Sequence, residues 1–402
     1  MPSDITSGSV AQIETFPLAF SGRGAEFFRV WLVNLLLTVV TLGFYTPLAR
    51  RRTAQYFYSH TQVAGSPLEF TAEKRQMLLG FLLLVVLYIA FKLAADTGQD
   101  TAVSLFFLGA ALLAPYFWGS AMRFRLASTR WRGVRLYFKA SWGMVYKASW
   151  PVFVIALAWA VFGLLALEHR PQQPRTEALW PNFSWGTAGL LLLALGTTLL
   201  CVIRLEFNYK SLLISQAHIG TQPGRWKPVY ADFVRLWLAT LGVFLAGAAV
   251  FALGVGVLAG GSSAFYLDRK SLGSVAGVLF LVFAVLGFFI GLVLASAPAR
   301  AYRQARLFQL VWNNVGVSQI ARFRCNLRTR AFVLLRLQNM LLTLLTLGFY
   351  RPFAMVSEYR MKAHSVTLHV KGGLDQLVGQ LVQQQSGLGD AAADLVGLDL
   401  VG

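Results

Sequence analysis

The chain has 402 residues, of which 56% are hydrophobic and 13% charged, with a formal net charge of +19. Soluble domains carry about 25% charged residues, so composition excludes an ordinary soluble globular class. The basic residues sit in blocks separated by near-neutral stretches, a distribution that argues against a nucleic-acid partner and for a polytopic membrane protein.

Residues 1–25 have no basic stretch leading into an apolar core, so no cleavable signal peptide is expected. Residues 1–17 read as an N-terminal segment ahead of one integral membrane domain, 18–372. An apolar stretch at 27–48 comes first. Spans are then predicted at 77–95, 102–122, 149–167, 183–203, 235–259 and 274–297, each near the roughly 20 apolar residues that a bilayer crossing needs. A last apolar stretch covers 331–354. The tail, 373–402, has acidic but no basic residues and reads as flexible.

The loops between these spans sort by charge. Residues 123–148 hold seven basic side chains and no acidic one, and so do 300–330. Residues 96–101 carry Asp96 and Asp100 and no base, while 168–182 and 260–273 are close to neutral. Basic loops mark the cytoplasmic side, and they should attract anionic lipid headgroups.

The first and last apolar stretches share a phrase. Asn34, Thr38, Thr41, Gly43, Tyr45 and Pro47 recur at identical spacing as Asn339, Thr343, Thr346, Gly348, Tyr350 and Pro352. Hydrophobicity alone requires no such order, so the repeated segments 27–49 and 332–354 are the strongest pointer to function. Asparagine and the two threonines fall at i, i+4 and i+7, on one helix face. Glycine tolerates turn geometry and proline removes a backbone donor. Gly43, Pro47, Gly348 and Pro352 are therefore the expected helix breaks.

A subtler repeat lies in the basic loops. Residues 18–22, 68–72, 136–140 and 368–372 share a period-two pattern. Residues 321–325 form a looser copy and 220–226 a degenerate one. Such alternation reads as short strands. Several brought together could pair into a small cytoplasmic sheet; the competing reading is a set of independent amphipathic loops. Basic residues flank both ends of each repeated phrase, which a straight span cannot explain. The favoured reading is an α-helical membrane protein with six transmembrane helices, two re-entrant broken helices, short cytoplasmic strands and both termini in the cytoplasm. Eight full spans is the competitor.

The doubled phrase, with Phe20, Ser21, Gly22 and Gly24 upstream and Tyr56, His60, Thr61 and Gly65 downstream, resembles the YjgN family of bacterial inner-membrane proteins, a domain of unknown function. The resemblance covers about 18–372. It implies an inner-membrane location and this architecture, and it carries no established activity.

The polar stripe must find partners in an apolar medium. Asn34, Thr38, Thr41, Asn339, Thr343 and Thr346 are thus either interhelical glue or the lining of a pathway where the two copies meet. Arg29 and Arg336 lie near the entrances and can snorkel. The stretch 204–210 reads as a set of local pairs. Cys201 and Cys325 are too far apart in sequence to suggest a disulfide framework or a zinc site, and the histidines occupy no common repeat position. No hydrolase, metalloprotease or phosphate-loop motif is present. Gly254, Gly256, Gly287 and Gly291 suit close helix packing. No cofactor is expected, and a non-enzymatic role is. Transport or channel-like function ranks first, a structural or assembly role binding lipid or a partner second, and an envelope or lipid enzyme third. Neither the substrate nor the oligomeric state is legible.

Overall fold

The computed structural model describes residues 13–168, 185–220, 222–227, 229–261 and 275–371. The predicted tail, the neutral loops and most of the N-terminal segment lie outside the described residues.

The strands are short, and pairing makes them stable. Thr61–Val63 (β3) and Ser66–Phe70 (β4) form a hairpin, as do Thr129–Trp131 (β5) and Val134–Phe138 (β6). Their turns place Ala64–Gly65 and Arg132–Gly133 at positive φ, the two-residue geometry that matches strand twist. Ala217–Ile219 (β7) pairs with Gln222–Trp226 (β8), and Val315–Val317 (β9) with Ala321–Cys325 (β10). Val366–Lys371 (β11) follows, antiparallel to β10.

Neighbouring hairpins then join, β4 to β5, β6 to β7 and β8 to β9. The N-terminal strand completes the arrangement. Ile13–Pro17 (β1) pairs with β11, Leu18 N–H donates to Val366 O at 2.9 Å, and Ala19–Phe20 (β2) pairs with β3. One extended segment, 13–20, thereby holds both ends of an eleven-stranded sheet. The sheet closes on itself, and closure removes the open edges that would invite aggregation. A single apolar core, including Leu18, Trp131, Val134, Val317, Leu368 and Val370, takes side chains from strands around the ring.

Where the repeat pattern places strands at 68–72 and 136–140, the strands run at Ser66–Phe70 and Val134–Phe138. The shift follows from the tight turns, which start pairing immediately after the glycine. The partner strands β3, β5, β7 and β9 escaped sequence reading because three residues carry no period.

Helical pairs leave the ring and return to it. Gly24–Val40 (α1) and Thr46–Ser59 (α2) form the first; Lys74–Asp96 (α3) and Asp100–Ala127 (α4) the second. Trp142–Ala148 (α5), Trp150–Glu168 (α6) and Trp185–Ser215 (α7) build the third, and Tyr230–Gly261 (α8) and Val275–Asn314 (α9) the fourth. Thr329–Leu345 (α10) and Arg351–His364 (α11) are the last.

Among the described residues five helices are long and apolar enough to cross a membrane, and the pair α5–α6, bent by 47°, makes up to six. That bend lies at Ser149 and Pro151, where the proline cannot donate a backbone bond. The repeated segments are not among the spanning helices. Each is a helix of 17 residues followed by one of 14.

Close packing of α8 on α9 uses different glycines from most of those expected. A side chain at Gly247 would strike the Ala295 backbone, and one at Gly291 would strike the Phe251 ring. Gly254, Gly256 and Gly287 have open space around them.

Candidate functional site

The repeated phrase builds a helical hairpin in each copy. In the first, α1 ends at Val40, and Leu42 (φ 50°) and Gly43 (φ 93°) reverse the chain. In the second, Leu347 (φ 50°) and Gly348 (φ 97°) do the same. Nothing lies within 4 Å of where a Cβ would sit on either glycine, so the requirement there is conformational. Pro47 and Pro352 occupy the first turns of α2 and α11, where a missing N–H costs nothing.

The threonines serve the turn. Thr41 Oγ1 donates to Leu37 O (2.7 Å) and accepts from Tyr45 N (2.9 Å); Thr346 does the same with Leu342 O (2.7 Å) and Tyr350 N (3.0 Å). Thr38 and Thr343 bond back to the carbonyls of Asn34 and Asn339, each at 2.7 Å. The asparagines tie one limb to the other. Asn34 Nδ2 donates to Ala49 O at 3.3 Å, and its buried Oδ1 has no partner. Asn339 is better held: Nδ2 reaches Ala354 O (3.4 Å), Ser357 Oγ (2.9 Å) and Glu358 Oε1 (3.4 Å).

The hairpin tips are apolar and bare, with Leu42 89% and Leu347 91% exposed. From Arg336 to Leu347 the helix rises about 16 Å, roughly half of a hydrocarbon layer. The two hairpins pack side by side through Phe28 on Phe353 (5.7 Å) and Trp31 on Phe349 (6.4 Å). At their bases Arg360 donates to Gly22 O (2.7 Å), and Tyr359 bonds Thr61 (2.8 Å).

On its other flank the second hairpin meets α9, and a cavity of about 740 Å³ opens between them. Asn339, Thr343 and Gly348 line it; Asn34, Thr38, Thr41, Gly43 and Thr346 do not. Its polar wall is Arg300, Arg336, Arg351 and Glu358, and the rest is apolar, including Val293, Met340 and Leu344. A second cavity, about 580 Å³, lies beyond α9 against Leu199, Trp237 and Phe244, and shares Arg300 and Arg336.

Arg300, Arg336, Arg351 and Glu358 thus border one cavity; Arg300 donates to Val293 O at 2.9 Å, and neither Arg336 nor Arg351 joins an ion pair among the described residues. The apolar run of α9 stops at Arg300. Arg351 stands about 6 Å from the tip along α11.

These charges mark where the two copies diverge. In register, Arg336, Arg351 and Glu358 stand where the first copy has Trp31, Thr46 and Thr53. Neither Arg351 nor Glu358 is among the residues expected to line a pathway; both stand out where the copies differ.

Glu206 corrects a second expectation. Its partners are not local: it accepts from Arg303 (2.8 Å) and Trp237 Nε1 (2.8 Å), with the Arg303 guanidinium 4.2 Å from the Trp237 ring centroid.

Lys362, at the ring end of α11, lies over Phe332 (5.1 Å) and Phe308 (5.9 Å). Burial is the main cause that lowers its amine from 10.5 to about 8; Glu358 opposes the shift and Arg336 adds to it. A lysine with a depressed native pKa penalises folding while it is charged. That penalty is complete below pH 8 and disappears as pH rises to 10.5. Stability should therefore climb across this window, and Lys362→Met should flatten the climb and raise the melting temperature at pH 7. Parallel melts of both proteins against pH would show it.

A family model described as "Bacterial protein of unknown function (DUF898)" matches residues 15–395. The inner membrane protein YjgN of Salmonella typhimurium is 27% identical over 153 residues, which is 37% of this chain and 38% of that protein. YjgN of Escherichia coli K12 is 25% identical over 129 residues, 32% of each chain. The chain thus spans less than two fifths of the length of these relatives. No solved structure matches. With the family model covering nearly the whole chain, the protein belongs to the YjgN family of bacterial membrane proteins, DUF898.

Proposed function

We propose that the protein is a non-enzymatic inner-membrane protein of the transport class, and that an anionic amphiphile enters between α9 and the second hairpin. The single observation that carries this is the cavity itself. It has apolar walls, a polar side of Arg300, Arg336, Arg351 and Glu358, and a lining that extends to Leu347 and Gly348 at the hairpin tip. A phospholipid with an anionic headgroup has that chemistry, since guanidinium groups bind phosphate oxygens bidentately. The pathway follows the arginines and passes the polar stripe only at Asn339 and Thr343.

Binding of short-chain phosphatidylglycerol to the purified protein should be saturable. It should weaken by about tenfold in Arg336→Gln/Arg351→Gln, the scale of one or two lost charge-assisted bonds. Phosphatidylcholine should bind comparably weakly to both. Equal binding of the two lipids by the native protein would reject the reading. A structural role is the second reading. It is favoured by the hydroxyl groups of the phrase, which spend their protons on their own helix carbonyls.

The topology that accompanies this function has six crossings, two re-entrant hairpins, and the strand ring and both termini in the cytoplasm. Support comes from the chain path, in which every helical pair starts and ends at the ring, and from the arginines gathered at that end. In a background without native cysteines, Gln99→Cys should react with an impermeant thiol reagent on intact cells and Glu69→Cys should not. The opposite labelling would invert the topology. The basic loops then face anionic headgroups, with no nucleic-acid partner.

A further inference from the structure

The outer face of the ring carries an arrangement that the membrane cavities do not use. Gly316 in β9 is the direct register partner of Arg225 in β8 on one side and of Arg322 in β10 on the other. Side chains of directly paired residues share a face. A Cβ placed on Gly316 would lie 3.6 Å from Arg322 Cγ and 3.9 Å from Arg225 Cβ, so both arginines do flank the bare glycine. The strands are about 4.8 Å apart, so the two arginine Cα atoms stand roughly 10 Å apart while their stems lean in over the glycine.

A recess of about 440 Å³ opens there. Lys227 joins the two arginines, Asn313 and Ser318 add polar edges, and no carboxylate is among the lining. Among the described residues none of the three cations has an ion-pair partner. Trp226 also borders the recess, but as the neighbour of Arg225 it turns its side chain to the opposite face of β8, against Phe233 at 6.4 Å. Like charges set across a single strand repel, so an arrangement of three cations over a floor without a side chain is most stable around an anion. A tetrahedral phosphate fits, because it accepts from two guanidinium forks at once.

We propose that Arg225, Lys227 and Arg322 over Gly316 form a binding site for a phosphate monoester, presented either by a soluble molecule or by a lipid headgroup. The site stands apart from the cavity beside the second hairpin and does not depend on that reading.

The test uses the full chain in detergent, with inorganic phosphate and dioctanoyl phosphatidic acid as probes and calorimetry as the readout. Three proteins are compared: native, Arg225→Gln/Arg322→Gln, and a charge-matched control, Lys74→Gln/Arg75→Gln, on the exposed start of α3. Saturable binding of inorganic phosphate, weakened by about tenfold in the first variant alone, supports the site with a soluble source. Saturable binding of phosphatidic acid but not of inorganic phosphate, with the same pattern among variants, supports it with a lipid source. Either result should hold in Arg336→Gln/Arg351→Gln, which separates this site from the membrane cavity. Equal loss in the control, non-saturating binding, or no binding of either probe would overturn the proposal. The double variant must melt within the native range for its loss to count. If it does not, Lys227→Gln alone, at an exposed strand end, should show a smaller loss in the same direction, and native affinity there would also overturn it.

Discussion

Phe332→Ala should destabilise the protein by about 3–5 kcal/mol, the cost of a large cavity in a core that cannot collapse around it. Phe332 is 0% exposed and belongs to the core beneath the strand ring. It sits in the first turn of α10, so the lost contacts are those that seat the second hairpin on the ring. The lysine above it adds to the effect: Lys362 would lose the ring face that its ammonium group lies against at 5.1 Å. Phe27, in register with Phe332 in the first copy, is also 0% exposed, but it packs in a separate aromatic cluster with Phe20, Phe57 and Tyr56. Its alanine variant should cost a similar amount. The double variant should be close to additive, since the two clusters are distinct. Urea or thermal unfolding in detergent reads these values. A Phe332→Ala protein that melts with the native one would show that the hairpin is not anchored through this core.

The second large effect is an asymmetry between two residues that look equivalent in sequence. Asn339→Leu should cost about 1–3 kcal/mol, because it removes a donor shared among Ala354 O, Ser357 Oγ and Glu358 Oε1 and leaves the carboxylate without it. Asn34→Leu should cost less than about 1 kcal/mol. It loses one bond of 3.3 Å to Ala49 O and also removes a buried oxygen that has no partner. Both residues are buried, at 2% and 5% exposure, so exposure does not explain the difference. Function separates them further. Asn339 borders the cavity and Asn34 does not. Asn339→Leu should therefore weaken binding of anionic lipid as well as stability, whereas Asn34→Leu should leave binding intact. Equal stability losses in the two variants, with equal lipid affinity, would refute the asymmetry and return the pair to a purely structural role.

The asymmetry also bears on why a chain would keep two copies of one hairpin. The shared residues are those that any such hairpin needs: threonines that close the turn, a glycine at positive φ, a proline where the return limb starts. The differing residues Arg336, Arg351 and Glu358 put charge beside the cavity, whereas the first copy's own differing charges, Arg29, Arg50, Arg51 and Arg52, do not line it. One copy then acts as a packing partner, through Phe28 and Trp31 against Phe353 and Phe349. The other presents the charged wall.

Much of this was legible in the chain itself, for a physical reason. Apolar runs of bilayer length, charge sorted by loop, and glycine and proline at a helix break are local properties, imposed by the solvent and by backbone sterics whatever the distant contacts. They pointed to apolar helices of bilayer length, to the period-two segments and to the glycines, Gly43 and Gly348, that take positive φ where the chain reverses; Pro47 and Pro352 lie past the reversal, in the first turns of α2 and α11. The tertiary structure decided what depends on partners far apart in sequence. Ring closure needs residues 13–20 to meet both β3 and β11, and no local pattern encodes such a meeting. The partner of Glu206 is Arg303, on another helix, because a carboxylate at that depth takes the nearest cation in space. The stripe from Asn34 to Thr41 faces its own return limb, and only the packing of α9 on the second hairpin turned the matching stripe, with its arginines, toward a cavity.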